Sequence, residues 1–306
     1  MRIAFLGTPE FAIPSLRALI NRGDTLAVFT QPDRPVGRKA ILTPPPVKSF
    51  ADAHGIPVFQ FERIRSVEGR EALGTFAPDL MVTAAFGQLL SAKNLAIPKL
   101  GTVNVHGSLL PKYRGASPIQ SAIINGETET GVTTMMTDIG MDTGDMLLKA
   151  KTPIDPDETY EQLSERLAVI GADLLIETLD RLEKGTLLRV PQDPEEATVC
   201  YMLKKEDGKI DPFCSAKSIH DLVRGTNPWP CAFGILDGQP LKIFRTKRTD
   251  ASFDDAPGTL REQSGKLFLC CSDGALEIVT LQAVGKKRMD ADAFLRGCRL
   301  DGKVLC

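Results

Sequence analysis

The chain has 306 residues, 42% of them apolar and 25% charged, which is enough for two domains that each bury a core and excludes disorder as the default. Its net charge of −2 is uneven: from Tyr201 onward there are 17 Lys and Arg against 14 Asp and Glu, and before it 20 against 25. A mildly basic back half permits a polyanionic partner without requiring one. All seven cysteines lie at or after Cys200 and form no C-x-x-C pair, as expected of reduced thiols in a cytosolic protein. The apolar run over residues 3–6 is too short for a signal peptide or a membrane span, and no other stretch approaches spanning length, so the cytoplasm is the expected compartment.

In chain order, RIAFL reads as a buried strand, Gly7-Thr8-Pro9 as a turn, and FAIPSLRALINRG as a helix stopped at Gly23. TLAVFT follows as a second strand, and this spacing predicts a right-handed crossover and a mostly parallel, Rossmann-like α/β sheet. The alternation continues with a helix over 47–54, strands over 56–60, 79–85 and 102–106, and a helix over 118–125. A VTTMMT strand, a turn-rich IGMDTGD segment, an MLLKA strand and a long helix over 159–184 complete a first region, 1–188. The polar, proline-bearing residues 189–205 read as a connector. Over 206–306, short β-prone runs (LKIFRT, KLFLCC, LEIVTL) between Gly and Asp turns predict a small, OB-like β-barrel. With G-T-P-E-F after the first strand instead of G-x-G-x-x-G, a dinucleotide cofactor has no support.

In the TVNVH strand, alternation puts Asn104 and His106 on one face, two residues apart. If the strand is parallel they lie at its C-terminal end, where open α/β sheets bind ligands. Read alone, an N-x-H pair fits a polar strand cap as well as a catalytic pair. The following loop, GSLLPKYRGA, mixes glycines, a proline and two cations and can bring backbone groups close to a ligand. Asp138, Asp142 and Asp145 crowd the next turn, and the residues alone do not rank them.

The run NVHGSLLPKYRGASPIQSAIINGETETGVTTMMTDIGMDTGDML resembles the folate-dependent formyltransferase family. The resemblance implies Asn104, His106 and Asp142 as the catalytic set, and Ser108, Leu109, Leu110 and Pro111 as folate-binding residues. It also implies 10-formyltetrahydrofolate as formyl donor, no metal, and a monomer. Formyl transfer to an amine passes through a tetrahedral carbon whose oxygen becomes anionic. Asn104 and a protonated His106 would donate to that oxygen, each worth about 3–4 kcal/mol, while Asp142 would hold the imidazole and help relay the amine proton.

Residues 33–48, DRPVGRKAILTPPPVK, carry Arg34, Arg38, Lys39 and Lys48 against one acid and end in three stiffening prolines. On charge alone this is a solvated loop. It resembles the insertion of family members that act on initiator methionyl-tRNA, which implies that Arg34, Arg38 and Lys39 contact the RNA. GTNPWPCAF, DGQPLKIF and LQAVGKK extend the resemblance to the family's C-terminal barrel and add Lys286 and Lys287 to the RNA-binding set. In that light 1–188 is the catalytic domain, 189–205 a linker and 206–306 a tRNA-binding domain. Two readings compete, an amino sugar nucleotide as acceptor and a tRNA-binding protein without catalysis. The basic insertion argues against the first, and the Asn104, His106 and Asp142 set against the second. Trp229, the only tryptophan, is expected in the core or at a packing contact, not as a base-stacking platform.

Overall fold

Apolar runs bounded by Gly, Pro and Asp turns set the elements of the first half, much as the periodicity predicts. The computed structural model describes residues 1–37 and 39–306. Besides short 3-10 turns, the chain forms β1 (Arg2–Gly7), α1 (Ile13–Arg22), β2 (Thr25–Thr30), β3 (Arg34–Val36), β4 (Ile41–Thr43), α2 (Pro46–Ala53), β5 (Val58–Gln60) and α3 (Val67–Phe76). Then come β6 (Leu80–Ala84), α4 (Ala92–Leu95), β7 (Thr102–His106), β8 (Arg114–Gly115), α5 (Pro118–Ile124), β9 (Glu129–Met136), β10 (Met146–Pro153), α6 (Tyr160–Glu183) and β11 (Val199–Cys200). The residues group into two compact units. One holds Met1–Pro118, Thr130–Thr152 and Ser164–Cys200, the other Ile119–Glu129, Pro153–Leu163 and Tyr201–Cys306.

The first unit is built on a seven-stranded sheet in the order β10, β9, β7, β6, β1, β2, β5. Strands β1, β2, β5, β6 and β7 are parallel, and β9 runs antiparallel to β7. Because the parallel strands are covered on both faces, their sequences are apolar throughout instead of alternating. Ala4 and Leu6 of β1 cluster with Ala27, Phe29, Met81, Ile64 and Leu73, while Ile3 and Phe5, pointing the other way, are equally buried. On the latter part of the sheet α6 comes close: a Cβ added at Gly171 would sit 2.8 Å from Val105 Cγ1, and the buried hydroxyls of Thr178 and Thr134 are 2.8 Å apart. α1 ends where Gly23 takes a left-handed φ of +83°, its N–H donating to the carbonyls of Leu19 and Ile20.

In the second unit follow α7 (Ala216–Gly225), β12 (Ala232–Leu236), β13 (Gln239–Arg248), β14 (Leu260–Gln263), β15 (Lys266–Cys271), β16 (Gly274–Ala283), β17 (Met289–Asp290) and α8 (Ala291–Leu295). The strands pair antiparallel in the order β12, β13, β16, β15, β14, with β17 beside β16. Both edges are tied to the same segment, Leu305 bridging Leu236 and Val304 bridging Thr259, which gives a barrel-like closure. The core packs Leu241, Ile243, Leu267, Leu269 and Ile278 against Ile219 and Val223 of α7. The opposite side of α7 grips residues 155–158: Arg224 Nη1 donates to Asp155 O and Glu158 O, and His220 Nε2 lies 3.1 Å from Pro156 O.

Two expectations are corrected. Residues 33–48 are no plain loop, since β3 and β4 pair as an antiparallel hairpin, and the last of the three prolines opens α2 at a position where the missing N–H costs nothing. Trp229 is 55% exposed, not buried in the core: Thr226, Asn227, Pro230 and Cys231 turn inward on either side and leave the indole outside. None of the seven cysteines is in a disulfide among the described residues; burial first, then Asp273 and the neighbouring thiols, pushes Cys271 up to about 12. No helix among the described residues is long and apolar enough to cross a membrane.

Candidate active site

β7 ends at the C-terminal edge of the parallel strands, and its register with β9 sets Asn104 beside Met135 and His106 beside Thr133. Thr83, on the neighbouring β6, donates its hydroxyl to Asn104 Oδ1 at 2.8 Å. That contact fixes the amide, turning Nδ2 toward Asp142 Oδ1 at 3.5 Å. His106 is 5% exposed, with Nε2 at 2.9 Å from Tyr113 O and Nδ1 at 3.7 Å from Asp142 Oδ2. A carbonyl only accepts, so Nε2 carries a proton there. The ring is therefore oriented by Tyr113, with Asp142 within ion-pair reach but beyond hydrogen-bond distance.

Asp142 belongs to the turn over 137–145 that joins β9 to β10, and its φ of +54° is one that Asp tolerates better than most residues. Its Oδ2 accepts the N–H of Gly115 at 2.9 Å. The geometry separates the three acids that the sequence leaves unranked. Asp138 spends its carboxylate inside the turn, on Gly140 N–H and the Thr143 hydroxyl. Asp145 accepts the Met136 N–H through its main-chain oxygen. Only Asp142 of the three faces Asn104 and His106. Asn104 Nδ2, a donor, and His106 Nδ1, a donor once the imidazole is protonated, thus converge beside one carboxylate. Such a group can stabilise a developing oxyanion and accept a proton from the attacking group.

The loop after β7 is braced from inside. Thr133 donates its hydroxyl to Ser108 O at 2.7 Å and accepts from Leu110 N–H at 3.1 Å, and Ser108 Oγ donates to Lys112 O at 2.6 Å. Ser108, Leu110 and Pro111 are buried and Leu109 is half-buried. Beyond them β8 pairs with β11. Sequence reasoning overlooked Thr83 and the Gly115 N–H. The first had a signal, a lone hydroxyl within the apolar DLMVTAA strand; a main-chain N–H has none.

In the hairpin, Arg34 pairs with Glu62 at 2.5 Å with both side chains well exposed, and Lys39 is exposed. Arg38 lies outside the described residues. Lys48 anchors the hairpin's base, donating to Asp33 and to Gln60 Oε1 at 2.9 Å. Gln60 in turn donates to Gln31 O, and Gln31 to Gly87 O after β6. Lys286 and Lys287 are exposed in the turn after β16, next to Arg288, whose guanidinium lies 4.4 Å over the Phe244 ring. Among the described residues, no group of three or more His, Cys, Asp or Glu is arranged to hold a metal.

Residues 1–179 match the family model described as formyl transferase, and residues 202–299 match formyl transferase, C-terminal domain. The chain is 53% identical to a methionyl-tRNA formyltransferase of Geotalea uraniireducens (strain Rf4), over 100% of this chain and 98% of that one. Among solved structures it resembles WlaRD, a sugar 3N-formyl transferase solved in the presence of dTDP and 5-N-formyl-THF, with a TM-score of 0.70, 18% identity, and 94% and 99% of the two chains covered. It also resembles the methionyl-tRNA formyltransferase from Clostridium thermocellum, with a TM-score of 0.58, 18% identity, and 82% and 94% covered. At that identity the structural likeness speaks for the fold alone. The two family matches and the full-length relative together place the chain in the formyl transferase family, in its methionyl-tRNA formyltransferase branch.

Proposed function

We propose that this chain transfers the formyl group of 10-formyltetrahydrofolate to the amino group of methionine carried by initiator tRNA, giving N-formylmethionyl-tRNA for translation initiation. The convergence of Asn104, His106 and Asp142 at the end of β7 carries the reading. Full-length identity of 53% to a methionyl-tRNA formyltransferase supports the acceptor. The methionine amine attacks the formyl carbon, and the carbonyl electron pair moves onto oxygen. Asn104 Nδ2–H and the Nδ1–H of an imidazolium His106 donate to that oxygen, each worth about 3–4 kcal/mol. Neither donor is tightly held by Asp142, at 3.5 and 3.7 Å, so each N–H, aimed by the bonds to Thr83 and Tyr113, keeps capacity for the reacting oxygen. Asp142 takes the proton released by the amine, through water, and passes it to the departing N10 nitrogen of the folate. The carbon to N10 bond breaks and tetrahydrofolate leaves, with no covalent enzyme intermediate and no metal.

In this reading Ser108, Leu109, Leu110 and Pro111 bind the folate through the surface of their braced loop, because the side chains of Ser108, Leu110 and Pro111 are buried. Arg34 and Lys39 of the hairpin, Arg38, which lies outside the described residues, and Lys286 and Lys287 bind the tRNA. Residues 1–188 carry the transfer chemistry and 206–306 bind RNA, joined by 189–205, in a monomer working in the cytoplasm. The test is direct. Purified protein given 10-formyltetrahydrofolate and charged initiator tRNA should release tetrahydrofolate and N-formylmethionine in equal amounts. Transfer only to an amino sugar nucleotide, or RNA binding without formyl transfer, overturns it.

A further inference from the structure

Residues 189–200 form a strap laid along the loop that follows β7. Thr198 N–H donates to Pro111 O at 3.3 Å, Arg114 N–H to Thr198 O at 2.8 Å and Ala116 N–H to Cys200 O at 3.1 Å, while Tyr113 N–H donates to the Thr198 hydroxyl at 2.8 Å. Nearer its start the strap contributes Gln192, which makes three bonds. Its Oε1 accepts from Arg114 Nε at 2.9 Å, and its Nε2 donates to the main-chain carbonyls of Asp142 and Gly144, each at 2.8 Å. Arg114 offers only donors and the carbonyls only acceptors, so the amide has a single sensible orientation. One half-buried side chain thereby joins the loop bearing Arg114 to the turn bearing Asp142.

The turn needs such a brace. Asp142 sits at φ +54°, a left-handed state that Asp enters with little strain but that is one of several open to it, so the surroundings must select it. Gln192 grips the carbonyls on both sides of Thr143 and so opposes rotation of the peptide units that aim the Asp142 side chain. With that grip gone, the turn's main chain would lose two of its bonds, and the carboxylate would rest on the Gly115 N–H at Oδ2 and the 3.5 Å approach of Asn104 to Oδ1.

We infer that Gln192 is a positioning residue for formyl transfer, holding the Asp142 carboxylate in register with Asn104 and His106. The inference rests on the reading above, in which Asp142 moves the proton. The experiment compares wild type, Gln192→Met, Asp142→Asn and the double variant in steady-state formylation of charged initiator tRNA. Gln192→Met should lower kcat about 10-fold, with KM for both substrates held within about twofold, because ground-state binding is untouched. In the Asp142→Asn background the same change should lower kcat by less than about twofold, since no carboxylate remains to be aimed. Gln192→Glu guards against loss of folding: it keeps an acceptor for Arg114, and with it the docked strap, but sets an oxygen against the two carbonyls. It should lose kcat to the same extent when assayed well below its melting range. Normal kcat in Gln192→Met or Gln192→Glu while Asp142→Asn is impaired overturns this inference alone. An equal loss in both backgrounds also overturns it, because Gln192 would then act elsewhere. Normal kcat in Asp142→Asn removes Asp142 from the reaction and takes both readings with it.

Discussion

Gly115→Ala puts one carbon where the site has no room for it. The φ of +115° lies outside what an L side chain accepts, and a Cβ there would overlap the carbonyl oxygen of Cys200 in the paired strand β11. To restore ordinary contact, β8 and β11 must part by roughly 1 Å. Backbone strain of this kind costs about 1–3 kcal/mol and overpacking a similar amount, so a loss of about 2–5 kcal/mol is expected. At about 2–4 °C per kcal/mol for a unit of this size, the melting temperature should fall by roughly 4–20 °C. Activity should fall as well, because the Gly115 N–H donates to Asp142 Oδ2 at 2.9 Å and moves with the strand. A displacement near 1 Å at a reacting group costs up to about 100-fold, so a 10- to 100-fold drop in kcat is expected. Scanning calorimetry and saturated formylation rates, taken well below the variant's melting range, read both effects. A variant that melts with wild type and keeps its kcat refutes the steric argument. Low melting with normal turnover would leave Gly115 a role in the fold alone.

Asn104→Ala and His106→Ala should each lower kcat by about 100-fold or more without unfolding the protein, and near-normal turnover in either removes that residue from the mechanism. Arg38→Ala should sharply lower formylation of initiator tRNA while leaving the affinity for a folate analogue unchanged. An unchanged preference for initiator over elongator methionyl-tRNA would leave the 33–48 insertion a solvated connection. His220 supplies a pH test in the second unit. Burial above all, with the nearby Arg224, holds its imidazole below the ordinary 6.5, against the opposing pull of the Pro156 carbonyl, Asp157 and Asp221. The unfolded chain then takes up the proton first, so the stability tied to neutral His220 is present above about pH 6.5 and is lost as pH falls toward the folded value. His220→Gln should therefore flatten the drop in urea midpoint between about pH 7 and pH 5, and parallel losses in variant and wild type would contradict this.

The strand carrying Asn104 and His106 was legible from its hydrophobic patterning, since TVNVH alternates polar and apolar residues with period 2 between two glycines. The same rule located β6, β9 and β10. The hairpin over 34–43 escaped it, since all residues of β3 and β4 are exposed, Val36, Ile41 and Leu42 among them, and a strand solvated on both faces has no hydrophobic alternation to read. The ranking of Asp142 over Asp138 and Asp145 came from family resemblance. Its physical ground, which carboxylate is consumed by its own turn, depends on main-chain bonds that have no residue signature. Gln192 was hidden for a related reason: it lies in an irregular segment, where neither a period of 2 nor one of 3.6 marks a side chain that faces inward.

The left-handed backbone at Asp142 filters which mutations this position can survive. Its conformation admits Gly, Asn and Asp with little strain and resists longer or branched side chains, while the chemistry asks for a carboxylate. Asp alone meets both demands, and Glu, the usual conservative exchange, is disfavoured by the main chain before its reach is considered. Drift at this position would thus run first to Asn or Gly, giving proteins that fold, pair strand with strand as before, and have lost the proton acceptor. Such relatives would be visible as intact members of the fold with a single neutral residue in this turn, and the turn by itself would separate working enzymes from descendants that kept only the architecture.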